Sequence, residues 1–291
     1  MSPVATIKTV CSSDGSMLHA EGLGNPRNPH VVFIHEVTLS SAVFDELARD
    51  KRLTDHLYIV RYDLRCHGRS SSVSGDEGHH QTCYANDFNA VVRAFGLRRP
   101  VVVAWGLGAA VVTDVCASTN PIPISGAVFV SPLPFLGSEM PRAATERMLR
   151  MTQILRSSQD TVISARAKTE LVNALFSGAA RPVPDAIRAA WLGVSMSQPP
   201  DVTRAVLSRQ HDASKLLEIG RQGFPLMILA GSNDALVNST AVVAELRRHF
   251  REAEVHVVEG GSHALFVDKK DEFVKLLLVF VGRLAVMTLM G

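Results

Sequence analysis

The sequence predicts an α/β fold in which a mostly parallel central sheet carries helices on both faces. Short apolar, β-branched runs alternate with segments of helical periodicity, as where Val101–Trp105 is followed by Ala109–Ala117. Such alternation is typical of parallel sheets, whose strands are buried on both faces. The 291 residues include 46% hydrophobic and 20% charged residues, which suits one large α/β domain or a core with an insertion.

The individual elements follow from turn signals and from the length of each apolar run. Asp14-Gly15 is a hairpin turn signal between the first two strand-like segments. Strands are predicted at Val4–Ser12, Met17–Gly22, Val31–His35, Tyr58–Tyr62, Val101–Trp105, Ala127–Val130, Leu226–Ala230 and Val255–Val258. Helices are predicted at Tyr84–Phe95, Ala109–Ala117, Ala241–Phe250 and Lys270–Leu284.

The section from about residue 136 to residue 222 interrupts this alternation. It contains no convincing strand, and Met148 and Met151 recur at helical spacing. We therefore expect a core, residues 1–135 and 223–291, and an inserted helical cap, residues 136–222. A cap at the carboxyl edge of the sheet would cover the place where open α/β sheets bind ligands. The apolar residues of the cap, Trp191 among them, suit either a substrate pocket or packing alone.

The net charge, the cysteines and the two ends of the sequence indicate which binding partners and which cellular location to expect. The net charge of +2 gives no reason to expect a nucleic-acid partner. The four cysteines form no C-x-x-C pair and no signal peptide is visible, so we expect a cytoplasmic protein with reduced thiols. Lys275 and Arg283 interrupt the apolar segment Phe273–Met290, so we expect no membrane span. That segment suits a helix packed on the sheet, or a contact with a membrane surface or a second subunit.

Five polar or glycine-rich clusters each come directly after a predicted strand. They are His35-Glu36-Val37, Asp63–Ser70, Gly106-Leu107-Gly108, Gly231–Asp234 and Gly260–His263. Because the carboxyl ends of parallel strands meet at one edge of a sheet, we expect these clusters to converge. The segment around Gly106 has the strand–turn–helix context of a nucleophile elbow, but it reads A-x-G-x-G where an elbow usually reads G-x-S-x-G.

The order of these motifs resembles the α/β-hydrolase superfamily, and in particular its small esterase-like members, over nearly the whole chain. The resemblance implies that Asp234 is the catalytic acid and His263 the base. It places Gly106 where the family carries its serine nucleophile. It also implies that the backbone N–H groups of Val37 and Leu107 form the oxyanion hole.

Three positions depart from the pattern of that family. Glu36 stands where the H-G motif has glycine, Cys66 where the R-G-H-G motif has glycine, and Gly106 where the serine is expected. Because two of these positions lie outside the nucleophile, we favour natural divergence over a single engineered substitution. Glycine offers no nucleophilic atom, so efficient ester turnover through an acyl-enzyme is not expected.

Glu36 and Cys66 leave alternatives open at this stage. A Glu36 carboxylate in the cleft would oppose a developing oxyanion, and it would act as an acid or bind a cationic group. If it points away, it would pair with Arg65 or Arg69. Cys66 would be a substitute nucleophile only if the pKa of its thiol were lowered.

No cofactor or metal ion is expected from the sequence. Residues Asp76–His80 have the side-chain types that bind metals, but they lie in a Ser/Gly-rich loop where a solvated surface is the ordinary outcome. Gly106-Leu107-Gly108 lacks the third glycine and the later acidic residue of a dinucleotide-binding fingerprint.

Three hypotheses for function follow. In the first, the protein binds a small apolar molecule under the cap and transforms it by non-covalent His263/Asp234 acid–base chemistry of a lyase, isomerase or cyclase type. In the second, the same pocket belongs to a catalytically silent binding protein. In the third, the protein is a carboxylic-ester hydrolase whose serine has been substituted. Candidate substrate contacts are His35, Trp105, Met148, Met151 and Trp191.

Overall fold

An eight-stranded sheet organises the computed structural model, which describes residues 5–73, 75–135, 142–157, 160–179 and 181–290. The strands are β1 (Thr6–Cys11), β2 (Met17–Leu23), β3 (His30–Ile34), β4 (Tyr58–Tyr62), β5 (Val101–Trp105), β6 (Gly126–Val130), β7 (Leu226–Gly231) and β8 (Glu254–Val258). Their order in the sheet is β1-β2-β4-β3-β5-β6-β7-β8. The β1–β2 and β2–β4 pairs are antiparallel and the other pairs are parallel, so the predicted fold class is confirmed.

Helices connect most of the parallel strands. The α-helices are α1 (Asp45–Ala48), α2 (Lys51–Thr54), α3 (Gln81–Ala94), α4 (Ala109–Ser118), α5 (Glu146–Ser157), α6 (Thr161–Leu175), α7 (Asp185–Ser197), α8 (Pro200–Ser208), α9 (Ser214–Arg221), α10 (Ser239–Arg247), α11 (Leu265–Asp268) and α12 (Lys270–Met290). The predicted elements agree with these bounds to within a few residues, except that α12 continues past Leu284. Val4, at the start of the first predicted strand, lies outside the described residues.

The central strands β3, β5 and β6 bring the candidate site together. Every residue of β5 and β6 is buried, as expected for apolar strands covered on both faces. Ile34 pairs with Ala104, and Trp105 pairs with Val130, so the three strands end at one edge of the sheet. The segments that follow β3 and β5 therefore start side by side.

Residues between β6 and β7 form the helices α5 to α9, and the described part of this insertion contains no strand. Helix α5 packs on α6 and α8, whereas α9 packs on α4 of the core. Helix α8 begins with Pro200 at its first position, where the missing N–H of proline costs no hydrogen bond. The start of the proposed cap at residue 136 lies outside the described residues, and the division into core and cap stays a prediction.

The C-terminal end of α7 is bonded to two loops of the core. Ser195 donates to the Thr38 hydroxyl over 3.0 Å, and the Gln198 amide donates to the carbonyl of Cys66 over 3.2 Å. Thr38 and Cys66 have φ angles of 64° and 60°, in the left-handed region that side chains rarely adopt. The insertion thus contacts the core at two conformationally unusual residues near the ends of β3 and β4.

Helix α12 covers one side of the sheet with the buried residues Phe273, Leu277 and Phe280. Its outer side exposes Val279 and Val286. Within the described part of the chain, none of the helices combines the length and the apolar character that crossing a bilayer requires. Oligomerisation through this helix stays a prediction.

Candidate active site

The elbow after β5 ends in a tight turn at Gly106, which has a φ angle of +54°. A 3-10 turn, Gly106–Gly108, follows Trp105 directly and runs into helix α4. Glycine adopts this backbone conformation at little cost, whereas other residues are strained by it. A Cβ atom built on Gly106 would lie 1.5 Å from Oε2 of Glu36, so this position has no room for a side chain while Glu36 stays in place.

Glu36 fills that space with its carboxylate. The side chain is buried, and its Oε1 accepts hydrogen bonds from the backbone N–H groups of Val37 at 2.7 Å and Leu107 at 3.1 Å. Its Oε2 accepts from the same N–H of Leu107 at 3.0 Å. These are the two donors that the resemblance assigned to the oxyanion hole. The protein's own carboxylate therefore takes both N–H groups.

Asp234 and His263 form a buried pair beside Glu36. Asp234 follows β7 and His263 follows β8, and the His263 Nδ1 lies 2.9 and 3.0 Å from the two Asp234 oxygens. Asp234 also accepts from the backbone N–H groups of Leu236 and Val237. Because the carboxylate holds Nδ1, the other ring nitrogen, Nε2, faces Glu36 Oε2 at 3.4 Å.

The charges of the three side chains affect the pKa values of His263 and Asp234. Burial lowers the pKa of His263, but Asp234 and then Glu36 outweigh it, and together they raise that pKa to about 9. Burial raises the pKa of Asp234, but His263 and the backbone N–H groups bring it below its usual value. A pKa of about 9 keeps the His263 ring protonated at neutral pH, between Asp234 and Glu36.

The orientation of Glu36 settles the alternative in which it points away from the cleft. Arg65 is bonded to Asp87 and Asp14, and Arg69 is bonded to Glu21. Neither arginine contacts Glu36 through the bonds that the structure shows, and the pairing with Arg65 or Arg69 is not found. The carboxylate faces into the cleft.

Trp105 and Trp191 lie together at the site. The Trp105 Nε1 donates to the carbonyl of His263 over 3.0 Å. Its ring lies 5.5 Å from that of Trp191 and 4.9 Å from that of Phe266, measured between centroids. An aromatic cluster from β5, α7 and α11 thus packs against the catalytic histidine candidate.

His35, Met148 and Met151 are also buried, but in different surroundings. The ring of His35 donates from Nδ1 to the Glu36 carbonyl and accepts at Nε2 from the N–H of Leu64, so both nitrogens are used inside the protein. Met148 and Met151 are buried on α5, which packs on α6 and α8. Substrate contact by these three residues stays a prediction.

Cys66 and the Asp76–His80 loop do not form a second reactive centre. Burial raises the pKa of the Cys66 thiol, and burial lowers the pKa of His79, 3.9 Å away, to about 4. Both groups are therefore neutral near pH 7, which is the opposite of a thiolate–imidazolium pair. Among the described residues, no three His, Cys, Asp or Glu side chains are grouped so as to hold a metal ion.

A buried ion cluster near the elbow was missed by the sequence reasoning. Asp114 of α4 is fully buried, and it is bonded to Arg209 at 2.5 Å and His211 at 2.8 Å, both just after α8. One signal was present in the sequence: Asp114 is a charged residue inside the apolar segment Ala109–Cys116. Buried carboxylates are almost always paired, so a partner was to be expected.

Comparison with known proteins decides the family. The model of the alpha/beta hydrolase family matches residues 31–276, which is most of the chain. The chain belongs to the alpha/beta hydrolase family. The eight-stranded, mostly parallel sheet described above is the fold of this family.

Relatives of this family member include several hydrolases. A pimeloyl-[acyl-carrier protein] methyl ester esterase of Xanthomonas campestris is 26% identical over 280 residues, covering 92% of this chain and 100% of the relative. A 2-(acetamidomethylene)succinate hydrolase of Mesorhizobium japonicum is 24% identical over 241 residues, covering 81% of each.

Solved structures of similar proteins extend over nearly the whole chain. A Burkholderia cenocepacia protein described as an aryl esterase superposes with a TM-score of 0.87 at 25% identity, covering 97% of this chain and 100% of that one. A bromoperoxidase of Bacillus anthracis has a TM-score of 0.79 at 18% identity over 96% of this chain and 100% of that one, which shows a shared fold.

Proposed function

We propose that this alpha/beta hydrolase family member is an enzyme that transforms a small, fairly apolar molecule by proton transfer, without a serine acyl-enzyme. The reacting groups are Glu36, His263 and Asp234. The observation that carries the proposal is the Glu36 carboxylate, which takes the space of a side chain at Gly106 and lies 3.4 Å from Nε2 of His263.

The arrangement supports acid–base chemistry because a carboxylate and an imidazolium face each other in a buried site. Glu36 accepts a proton from a carbon or oxygen acid, and His263 returns one to the substrate, while Asp234 holds the ring in one orientation. The backbone N–H groups of Val37 and Leu107 fix the direction of the carboxylate. Such proton relays serve lyase, isomerase and cyclase reactions.

The same arrangement argues against ester hydrolysis through the usual oxyanion. A negative charge in the hole opposes the charge that develops on an ester oxygen in the transition state. Gly106 offers no nucleophilic atom. The third hypothesis is an ester hydrolase whose serine has been substituted. A serine at position 106 would need the space that the Glu36 carboxylate fills, so in that hydrolase Glu36 would have to lie elsewhere.

A cavity beside the aromatic cluster supports an apolar ligand. It has a volume of about 220 Å³. Its lining combines the apolar side chains of Trp191, Phe266, Val43 and Ile187 with the charged residues Asp45, Glu46 and Arg49. Ligand sites are typically concave and mostly apolar with a few polar groups. Because His263 and Glu36 are buried, the ligand must reach them by movement of the insertion.

Deuterium exchange tests the proposal before the natural substrate is known. A panel of small apolar ketones and unsaturated esters is incubated with the protein in D2O, and mass spectrometry follows deuterium uptake at carbon. We expect wild-type protein to catalyse exchange in at least one compound. Glu36→Gln and His263→Ala should each lower that rate by about 10²–10⁴-fold, the usual contribution of a general acid or base. Exposed His56 provides a matched control, and His56→Ala should keep the wild-type rate.

A catalytically silent binding protein is the second candidate, and the closed Glu36–His263 ion pair favours it. In that case the compounds bind with equal affinity to wild-type protein and to the Glu36→Gln variant. None of the compounds takes up deuterium at carbon. That result, or exchange at the wild-type rate in both variants, would contradict the proposed enzyme.

A further inference from the structure

A small cavity lies beside the loop that follows β3 and the turn that follows β5. Its lining includes Val37 and Leu107, whose N–H groups bind Glu36. The polar side chains of the lining are those of His67, Tyr84, Arg209 and His211. Its volume is about 20 Å³, which is room for about one water-sized group. The cavity therefore lies beside the two residues that bind Glu36, and it accommodates only the end of a ligand.

His67 contributes an unpaired hydrogen-bond acceptor to this cavity. The residue is buried, and its Nδ1 donates to the carbonyl of Arg65 over 2.8 Å, because a carbonyl oxygen only accepts. Nε2 has no hydrogen-bond partner in the protein. Burial lowers the pKa of His67 well below its usual value, so the ring is neutral and Nε2 carries a lone pair. An unsatisfied buried acceptor is costly and calls for an explanation.

Arg209 supplies donors to the same cavity. Asp114 holds its Nη1 at 2.5 Å, and the guanidinium stacks on the ring of Tyr84 at 3.7 Å from the centroid. His211, bonded to the second oxygen of Asp114, fixes the carboxylate in turn. A guanidinium has five N–H donors in a fixed plane, so the contact with Asp114 leaves others on a side chain that lines the cavity.

We propose that this cavity is a subsite for a hydroxyl group of the substrate, which donates to His67 Nε2 and accepts from Arg209. A hydroxyl is the group that both donates and accepts within so small a volume. A carboxylate would face the His67 lone pair, an ammonium would face Arg209, and a methyl group would leave His67 Nε2 unpaired. The role of the cavity as a substrate subsite rests on the proposed function. The binding of a hydroxyl group in the cavity does not depend on that function.

Nuclear magnetic resonance of ¹⁵N-histidine-labelled protein tests the subsite with neutral alcohols and their deoxy matches, such as benzyl alcohol against toluene and cyclohexanol against cyclohexane. We expect at least one alcohol to bind and to shift the Nε2 resonance of His67. The affinity of its deoxy match should be lower by at least about 10-fold, since an unpaired buried acceptor costs about 1–3 kcal/mol. The resonance is identified by its absence in His67→Asn.

Two variants separate the possible results. His67→Leu should abolish the preference for the alcohol, and His56→Leu, on an exposed histidine, should keep it. If His67→Leu does not fold, the wild-type resonance still decides, because a hydroxyl at Nε2 must shift it. A resonance that no alcohol moves would overturn the proposal and leave a structural water site. Glu36→Gln should keep alcohol binding even though it loses exchange activity, so failure of the proposed function and failure of the subsite are distinguishable.

Discussion

At the scale of single residues, Glu36 and Gly106 depend on each other. The Glu36 carboxylate lies where the first side-chain atom of residue 106 would stand, and it takes the two N–H groups next to that position. With the Glu36 carboxylate in this place, position 106 has room only for glycine. The carboxylate in turn gives His263 its second anionic neighbour, which helps to keep the imidazole protonated.

Gly106→Ser alone should destabilise the fold and produce no aryl esterase. The new side chain must displace a buried carboxylate, and serine at a φ of +54° adds about 1–2 kcal/mol of backbone strain. We expect a loss of more than about 2 kcal/mol in the free energy of unfolding, measured in urea. Gly193→Ser is the control, since a Cβ at that helical glycine meets no atom within 4 Å. Equal stability of the two variants would contradict the packing described at Gly106.

At the scale of elements, the C-terminal end of α7 connects the insertion to the core. Ser195 and Gln198 bind Thr38 and Cys66, the two left-handed residues that follow β3 and β4. Such strained residues persist where their surroundings hold them. Movement of the insertion away from the core would break these two bonds.

Ser195→Ala should weaken this connection by leaving the buried Thr38 hydroxyl without a donor. The expected loss is about 1–3 kcal/mol in the free energy of unfolding. Hydrogen exchange should also rise in α7 relative to the central strands. Ser197→Ala, two residues further along on an exposed side chain, should leave both unchanged. If the two alanine variants behave alike, the Ser195–Thr38 bond does not hold the insertion in place.

At the scale of the whole molecule, one buried histidine makes the free energy of unfolding fall at alkaline pH and another makes it fall at acid pH. The pKa of His263 is raised from 6.5 to about 9, so its contribution is complete below pH 6.5 and is lost as the pH rises through 9. The pKa of His79 is lowered from 6.5 to about 4, so its contribution is present above pH 6.5 and is lost as the pH falls through 4.

Stability should therefore be greatest near pH 6.5 and fall on both sides. Urea unfolding of wild-type protein and His263→Gln isolates the alkaline side, because the difference between them should shrink from about pH 6.5 to about pH 9. Burial lowers the pKa of Lys168 to about 8, so this lysine adds stability as the pH rises. Its contribution is the same in both proteins and cancels in the difference between them. A difference that stays constant over this range would show that His263 is neutral in the folded protein.

The sequence predicted the strands and the order of the motifs, because apolar runs locate strands and the clusters follow their carboxyl ends. Asp234 and His263 were paired by the resemblance to the α/β-hydrolase family. The direction of Glu36 was not predictable. It depends on the missing side chain of Gly106, 70 positions away, and on backbone N–H groups that carry no sequence signal. Arg65 binds Asp87 of α3 for a similar reason, since helix periodicity does not identify a partner in another element.

Aryl ester hydrolysis by the double variant Glu36→Gly/Gly106→Ser tests the central claim most directly. That claim is that Glu36 fills an otherwise intact oxyanion hole beside His263. Emptying the hole and supplying a serine should raise hydrolysis of a 4-nitrophenyl ester at least about 100-fold over wild type, the loss that follows removal of one oxyanion donor. Each single variant should stay at the wild-type background. A folded double variant without activity, or equal activity in Gly106→Ser alone, would contradict the claim.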